Sequence, residues 1–185
     1  MKLFLYATLV ILLSGCFKVD DFTRNELKWY KPYDKTDTVI FFSEKNESDT
    51  IIFQAKESGS SSTRGFEQGF YNTNYLTVPY YFTKGSYHQF AMMSDGKTRY
   101  DQDILNMSKS SSSTGFMEII FIGTIFSDDN LDSIQKINDS TYFFDSHKAT
   151  YSGMNVEKEI EDFTFNINLG ITNYTDDRGV KWKRK

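Results

Sequence analysis

From Val39 onward the chain is built of short apolar runs rich in aromatic and β-branched residues, each cut off by a turn signal. That feature constrains the fold most. A run of four to nine such residues fits a strand and is too short for a packed helix, and frequent turns leave no room for crossover helices. Val39 to Ser43 and Thr50 to Ala55 form one such pair, separated by the polar stretch Glu44-Lys45-Asn46-Glu47-Ser48-Asp49, and read as a hairpin. Ile171 to Tyr174 and Val180 to Lys183 form another across Asp176-Asp177-Arg178-Gly179, where the glycine supplies a positive backbone angle. Composition agrees. Aromatic residues make up 17% of the chain, with 17 Phe and 12 Tyr, and such side chains suit a pleated, half-buried surface. The expectation is a mainly β fold, an antiparallel β-sandwich or barrel with at most one or two short helices.

The intervening segments complete this reading. Residues 58–65 and 108–114 are Ser/Thr-rich and read as flexible loops. Tyr75 to Thr83 is a strand that Pro79 marks as an edge or interrupted one. Lys84-Gly85 turns the chain into Tyr87 to Met93, and Asp95-Gly96 signals a tight turn. Phe116 to Phe126 is the most apolar stretch beyond the N-terminus and reads as one central strand. Asn130 to Ile137 suits one or two helical turns, and Thr141 to Tyr151 reads as strand. Met154 to Asp162 is charged and helix-compatible, whereas Phe163 to Leu169 alternates like a strand.

The N-terminus has a different character. Lys2 precedes an apolar run from Leu3 to Leu13, followed by Ser14, Gly15 and Cys16. This is a positive end, a short apolar region and small residues at a cut site, the form of a secretory leader. The run is shorter than the about 20 residues that a bilayer-spanning helix needs. Cys16 is the single cysteine, so the exported chain has no internal disulfide. The domain boundaries expected are a leader over 1–15, a lipidated Cys16 with a tether over 16–37, and a single β-rich domain over 38–185.

The quartet Leu13-Ser14-Gly15-Cys16 resembles the lipobox of bacterial lipoproteins. That resemblance implies a diacylglycerol on the Cys16 sulfur, cleavage just before Cys16, and in many bacteria acylation of the new amine. Two or three acyl chains anchor a protein firmly, whereas one does so only marginally. Phe17-Lys18-Val19-Asp20-Asp21 loosely resembles the surface-export signal of Bacteroidota lipoproteins, a plain charged tether being the alternative. Gly170 to Tyr174 and Gly179 to Trp182 resemble, also loosely, the C-termini of small Bacteroidota lipoproteins of unknown function. The implied location is the cell envelope: the outer membrane, with or without surface display. The implied partner is a membrane, reached through lipid on Cys16. This resemblance carries no activity with it.

Few residues point to chemistry. The net charge of −4 becomes one unit more negative when Lys2 leaves with the leader, which argues against general nucleic-acid binding. The basic end Lys181-Trp182-Lys183-Arg184-Lys185 reads as a solvated strand end, with acidic lipid as the alternative contact. No nucleophile elbow, zinc-protease or nucleotide-binding motif occurs, and only His88 and His147 are present. The expectation is a binding or structural protein with no cofactor, no metal and no catalytic residue. The rival is a hydrolase using one of those histidines beside an acid and a Ser or Thr. Asp128-Asp129-Asn130-Leu131-Asp132 spaces oxygen ligands as a calcium loop does, but Ser133 and Asp139 stand where such a loop needs Gly and Glu, so an acidic turn is expected. Thr38, Thr50, Ser133 and Ser140 each follow Asp, and each has an apolar or Thr neighbour after it; by resemblance to the Bacteroidota pattern they are candidate O-glycosylation sites. Trp29, Tyr30, Tyr80 and Tyr81 are candidates for stacking on a sugar, against the alternative that they fill the core. The ligand classes left open are a glycan, a small molecule and an envelope protein.

Overall fold

The structure is a computed structural model that describes residues 21–65, 69–84, 103–110, 113–127, 134–149, 151–152 and 160–185. Its strands are β1 (Asp37–Ser43), β2 (Ser48–Phe53), β3 (Glu57–Gly65), β4 (Gly69–Lys84), β5 (Asp103–Ser110), β6 (Ser113–Phe121), β7 (Thr124–Ser127), β8 (Gln135–Asn138), β9 (Thr141–Asp145), β10 (Tyr151–Ser152), β11 (Ile160–Asn166), β12 (Gly170–Asp176) and β13 (Lys181–Arg184). They form one antiparallel sheet in the order β10-β7-β6-β5-β4-β2-β1-β13-β12-β11-β9-β8, with β3 added to β4 alongside β2. The sheet curls into a half-barrel, the mainly β architecture that the aromatic runs and turns require.

Alternation sets the inner face. Val39 and Phe41 on β1, Ile51 and Phe53 on β2, and Leu76, Val78, Tyr80 and Phe82 on β4 all point inward and are buried. The curl brings the two halves of the sheet into contact. Phe121 on β6 meets Phe163 on β11 and Tyr174 on β12 edge-on, at 5.5 and 5.4 Å between ring centroids. Phe126 on β7 meets Phe144 on β9 at 5.1 Å. Burying each such ring contributes about 1.5–3 kcal/mol, so the core is chiefly aromatic in substance and in energy.

Two hairpins match the sequence reading. β1 pairs with β2 from Asp37↔Phe53 to Phe42↔Ser48, and β12 pairs with β13 across a turn in which Gly179 has φ +71°. Elsewhere tertiary pairing overrides composition. The Ser-rich residues 58–65, read as a loop, form β3, because β4 is long enough to pair with them residue for residue. Most of 108–114 likewise extends β5 and β6. β4 is an interior strand, not an edge, and Pro79 fits there because the β5 register shifts between Val78 and Pro79. The run 116–126 is two strands. Ile122 (φ +47°) and Gly123 (φ +76°) make a two-residue turn between β6 and β7. Residues 135–137, read as helical, belong to strand β8, and 160–162, likewise read as helix-compatible, to β11. The stretches 85–102 and 153–159 lie outside the described residues.

The tether assigned to residues 16–37 also needs correcting. Arg24–Leu27 form a short helix, α1, and Lys28–Tyr33 continue it as a 3-10 helix. Trp29, Tyr30 and Tyr33 from this segment are buried in the core. Trp29 packs on Tyr142 and Phe165 at 4.6 and 5.5 Å between rings, and the Tyr30 hydroxyl donates to the Leu76 carbonyl at 3.1 Å. The segment therefore bridges the β9–β11 side and the β4 side and plugs one open end of the half-barrel. Among the described residues no helix is long and apolar enough to cross a membrane.

Candidate ligand groove beside the N-terminal plug

A groove of about 320 Å³ lies between the plug and the β5–β6 pair. Its apolar lining is Trp29, Met107, Phe116 and Met117, and its polar rim is Asn25, Glu26 and Lys28. Met107 and Met117 face each other across β5 and β6 in register and are buried, while Phe116 stays exposed. Gly115 also lines the groove, and a Cβ there would lie 3.0 Å from the Lys109 side chain.

A capping box fixes the rim. The Thr23 backbone N–H donates to Glu26 Oε2 at 2.5 Å, and the Glu26 N–H donates to the Thr23 hydroxyl at 3.3 Å. Lys109 Nζ meets the same Glu26 oxygen at 2.9 Å and also donates to the Asp21 carbonyl. Burial alone would raise the Glu26 pKa, but hydrogen bonds from Lys109 and Thr23 outweigh it and hold the carboxyl below its ordinary value. Glu26 is therefore ionised at neutral pH. Lys28 Nζ sits 5.6 Å from the centre of the Trp29 ring. The arrangement suits binding: thioethers and rings adapt to an apolar body, and a charged rim orients a polar head. Among the described residues no histidine lines it.

The four candidate stacking residues do not form a platform. Tyr30 and Tyr80 are sealed in the core, where the Tyr80 hydroxyl accepts the Ile122 N–H at 3.0 Å. Tyr81 points to the opposite face of β4 from Tyr80, because successive side chains alternate, and it lies opposite Ile52. Trp29 is 8% exposed and joins the groove at one edge only. Sequence reasoning missed Met107, Phe116 and Met117. It also passed over Thr23-Arg24-Asn25-Glu26, which has the spacing of a capping box and was the available signal for α1.

The other candidates are scattered. Cys16, His88 and Ser133 lie outside the described residues, as do Asp128 to Asp132. His147 is exposed in a 3-10 turn, where its backbone N–H, at 3.0 Å, bonds Asp145. Thr38 is exposed on the outer face of β1. Thr50 is half-buried between Asp49 and Ile51, both of which point into the core. Ser140 lies in the β8–β9 turn, bonded to Asn138 at 3.1 Å and to Asn166 at 3.3 Å. Asp139 is exposed and pairs with Lys136 at 2.8 Å. Among the described residues no three His, Cys, Asp or Glu side chains converge as a metal centre would.

No protein-family model, curated protein or solved structure matches the chain.

Proposed function

We propose that the chain is a lipid-anchored cell-envelope accessory protein, held in the outer membrane by acylated Cys16, whose β domain offers the plug-side groove to a small ligand. The observation that carries the reading is Lys2, the apolar run Leu3 to Leu13, and Leu13-Ser14-Gly15-Cys16, a leader ending on the only cysteine. The groove supports the binding half. Its volume falls in the range of small-molecule sites, about 300–1,000 Å³, and its lining sets an apolar wall beside a charged rim.

Metabolic labelling with an alkyne fatty acid tests the anchor. Label and membrane fractionation should both vanish in Cys16→Ala; an unlabelled wild type would refute the anchor and leave Cys16 a free thiol. Titrating apolar ligands while following Trp29 fluorescence in a Trp182→Phe background tests the groove. A saturable change that Met117→Glu abolishes is expected; uniform silence would remove the ligand-binding half.

A further inference from the structure

The basic C-terminal run becomes an ordered array in the sheet. Trp182 and Arg184 of this run point inward: Trp182 is buried, and Arg184 bonds Asp37 at 2.8 Å and the Leu169 carbonyl. Alternation turns Lys181, Lys183 and Lys185 to the outer face, all three exposed and spaced about 7 Å apart along the strand. None of the three makes an ion pair among the described residues.

Beside this lysine row runs an apolar one. On β1, Phe42 lies opposite Lys183, and the Lys185 N–H bonds the Ile40 carbonyl at 3.1 Å. Ile40 and Phe42 are 40% and 41% exposed on the same face, and Lys185 Nζ lies 5.7 Å from the centre of the Phe42 ring. The β12 neighbour of Lys183 on this face is Asn173, an uncharged amide. Among the described residues, acidic groups flank the lysine row at one end. Glu44 is at the β1–β2 turn beside Lys181, and Asp162, on β11, accepts from Thr175 at 3.0 Å.

We propose that this face, the lysine row of β13 with Ile40 and Phe42 of β1, rests on an anionic lipid surface. Charge complementarity argues for the headgroups: a chain with a net charge of −4 gathers three unpaired cations on one face. The apolar row argues for a membrane over a soluble polyanion, which would neutralise the lysines and leave Ile40 and Phe42 in water. A membrane interface takes up both at once. Shape fits as well, because the outside of a curled sheet is convex and meets a plane along neighbouring strands. The inference deepens the envelope reading and rests on it only for the presence of a membrane.

The test uses the processed chain, residues 16–185, carrying Cys16→Ser, so that failure of the lipid anchor leaves the outcome untouched. Co-sedimentation is measured with vesicles of phosphatidylcholine alone and with phosphatidylglycerol added. Preferential binding to the anionic vesicles is expected, weakened by salt. Combining Lys181→Gln, Lys183→Gln and Lys185→Gln should weaken it on the order of 100-fold at an unchanged melting temperature. Combining Ile40→Ser with Phe42→Ser should weaken it with the lysines intact. Equal binding to both vesicle types would overturn the proposal. So would equal binding by the lysine variant, or polyglutamate bound as tightly as vesicles by the wild type and by the Ile40/Phe42 variant.

Discussion

Tyr174 and Trp182 stack on neighbouring strands, with ring centroids 5.7 Å apart and planes 8° from parallel, and each donates to a different buried carboxylate. The Tyr174 hydroxyl donates to Asp49 Oδ2 at 2.5 Å, and the Trp182 indole N–H donates to Asp176 Oδ2 at 3.2 Å. Asp176 also accepts from the backbone N–H groups of Arg178 and Val180, at 2.9 and 3.0 Å, and from the Arg178 guanidinium at 2.6 and 3.1 Å. One carboxylate thus closes the β12–β13 turn and holds the inner end of the stack.

Asp176→Asn should therefore destabilise the domain by about 2–4 kcal/mol, because the amide replaces one acceptor oxygen with a donor facing other donors. The dependence on pH has a definite sign. Burial raises the Asp176 pKa, but hydrogen bonds from Arg178, Val180 and Trp182 prevail and hold it below its ordinary value. A depressed folded pKa gives stability that is present above the unfolded value, about 3.9, and is lost as pH falls through the folded one. Urea unfolding should show the wild type losing stability below about pH 4 and the variant losing less over the same range.

Two glycines separate backbone strain from crowding. Gly170 and Gly179 have φ of +78° and +71°, but a Cβ on Gly170 would lie 2.7 Å from the Tyr33 hydroxyl, whereas nothing lies within 4 Å of one on Gly179. Gly179→Ala should cost about 1 kcal/mol from the left-handed backbone alone. Gly170→Ala should cost about 2–4 kcal/mol, because Tyr33, the last residue of the plug, is buried against Phe53 and Phe165 and has no room to retreat. Melting temperatures of the two variants check the order.

The parts of the fold legible in the sequence were those encoded locally. The β1–β2 and β12–β13 hairpins carry their turn residues between apolar runs, so both strands and pairing can be read. β3 cannot be read this way, since Ser58 to Ser62 have little strand preference of their own and are ordered by pairing with β4. Gly123 was a readable sign of the β6–β7 turn, but Ile122 beside it is a β-branched residue that rarely takes φ +47°, and burial of its side chain is what holds it there. The groove was illegible for a similar reason. Met107 and Met117 lie on different strands, and only the register places them together.

The capping box at Thr23 should be measurable apart from the rest of the plug. Thr23→Ala removes the acceptor for the Glu26 N–H at the start of α1 and should cost about 1 kcal/mol. Glu26 would keep Lys109 at 2.9 Å, so the groove rim should survive. Hydrogen exchange should quicken at residues 24–27 and stay unchanged in β11 and β12.

The sharpest test of where the folded domain begins is Trp29. If residues up to 37 were only a tether, replacing Trp29 would leave stability unchanged. In the structure its ring packs on Tyr142 and Phe165, and the same segment places Tyr33 5.4 Å from Phe53, between ring centroids. Trp29→Ala should cost about 3–5 kcal/mol, the usual range for emptying a buried aromatic site. Leu27→Ala, two residues earlier on the exposed side, should change stability by less than about 1 kcal/mol. Chemical denaturation of both variants decides the matter, and equal midpoints would return the segment to the tether. A large loss confined to Trp29→Ala would also mean that the groove, of which Trp29 forms one wall, exists only while the plug is seated.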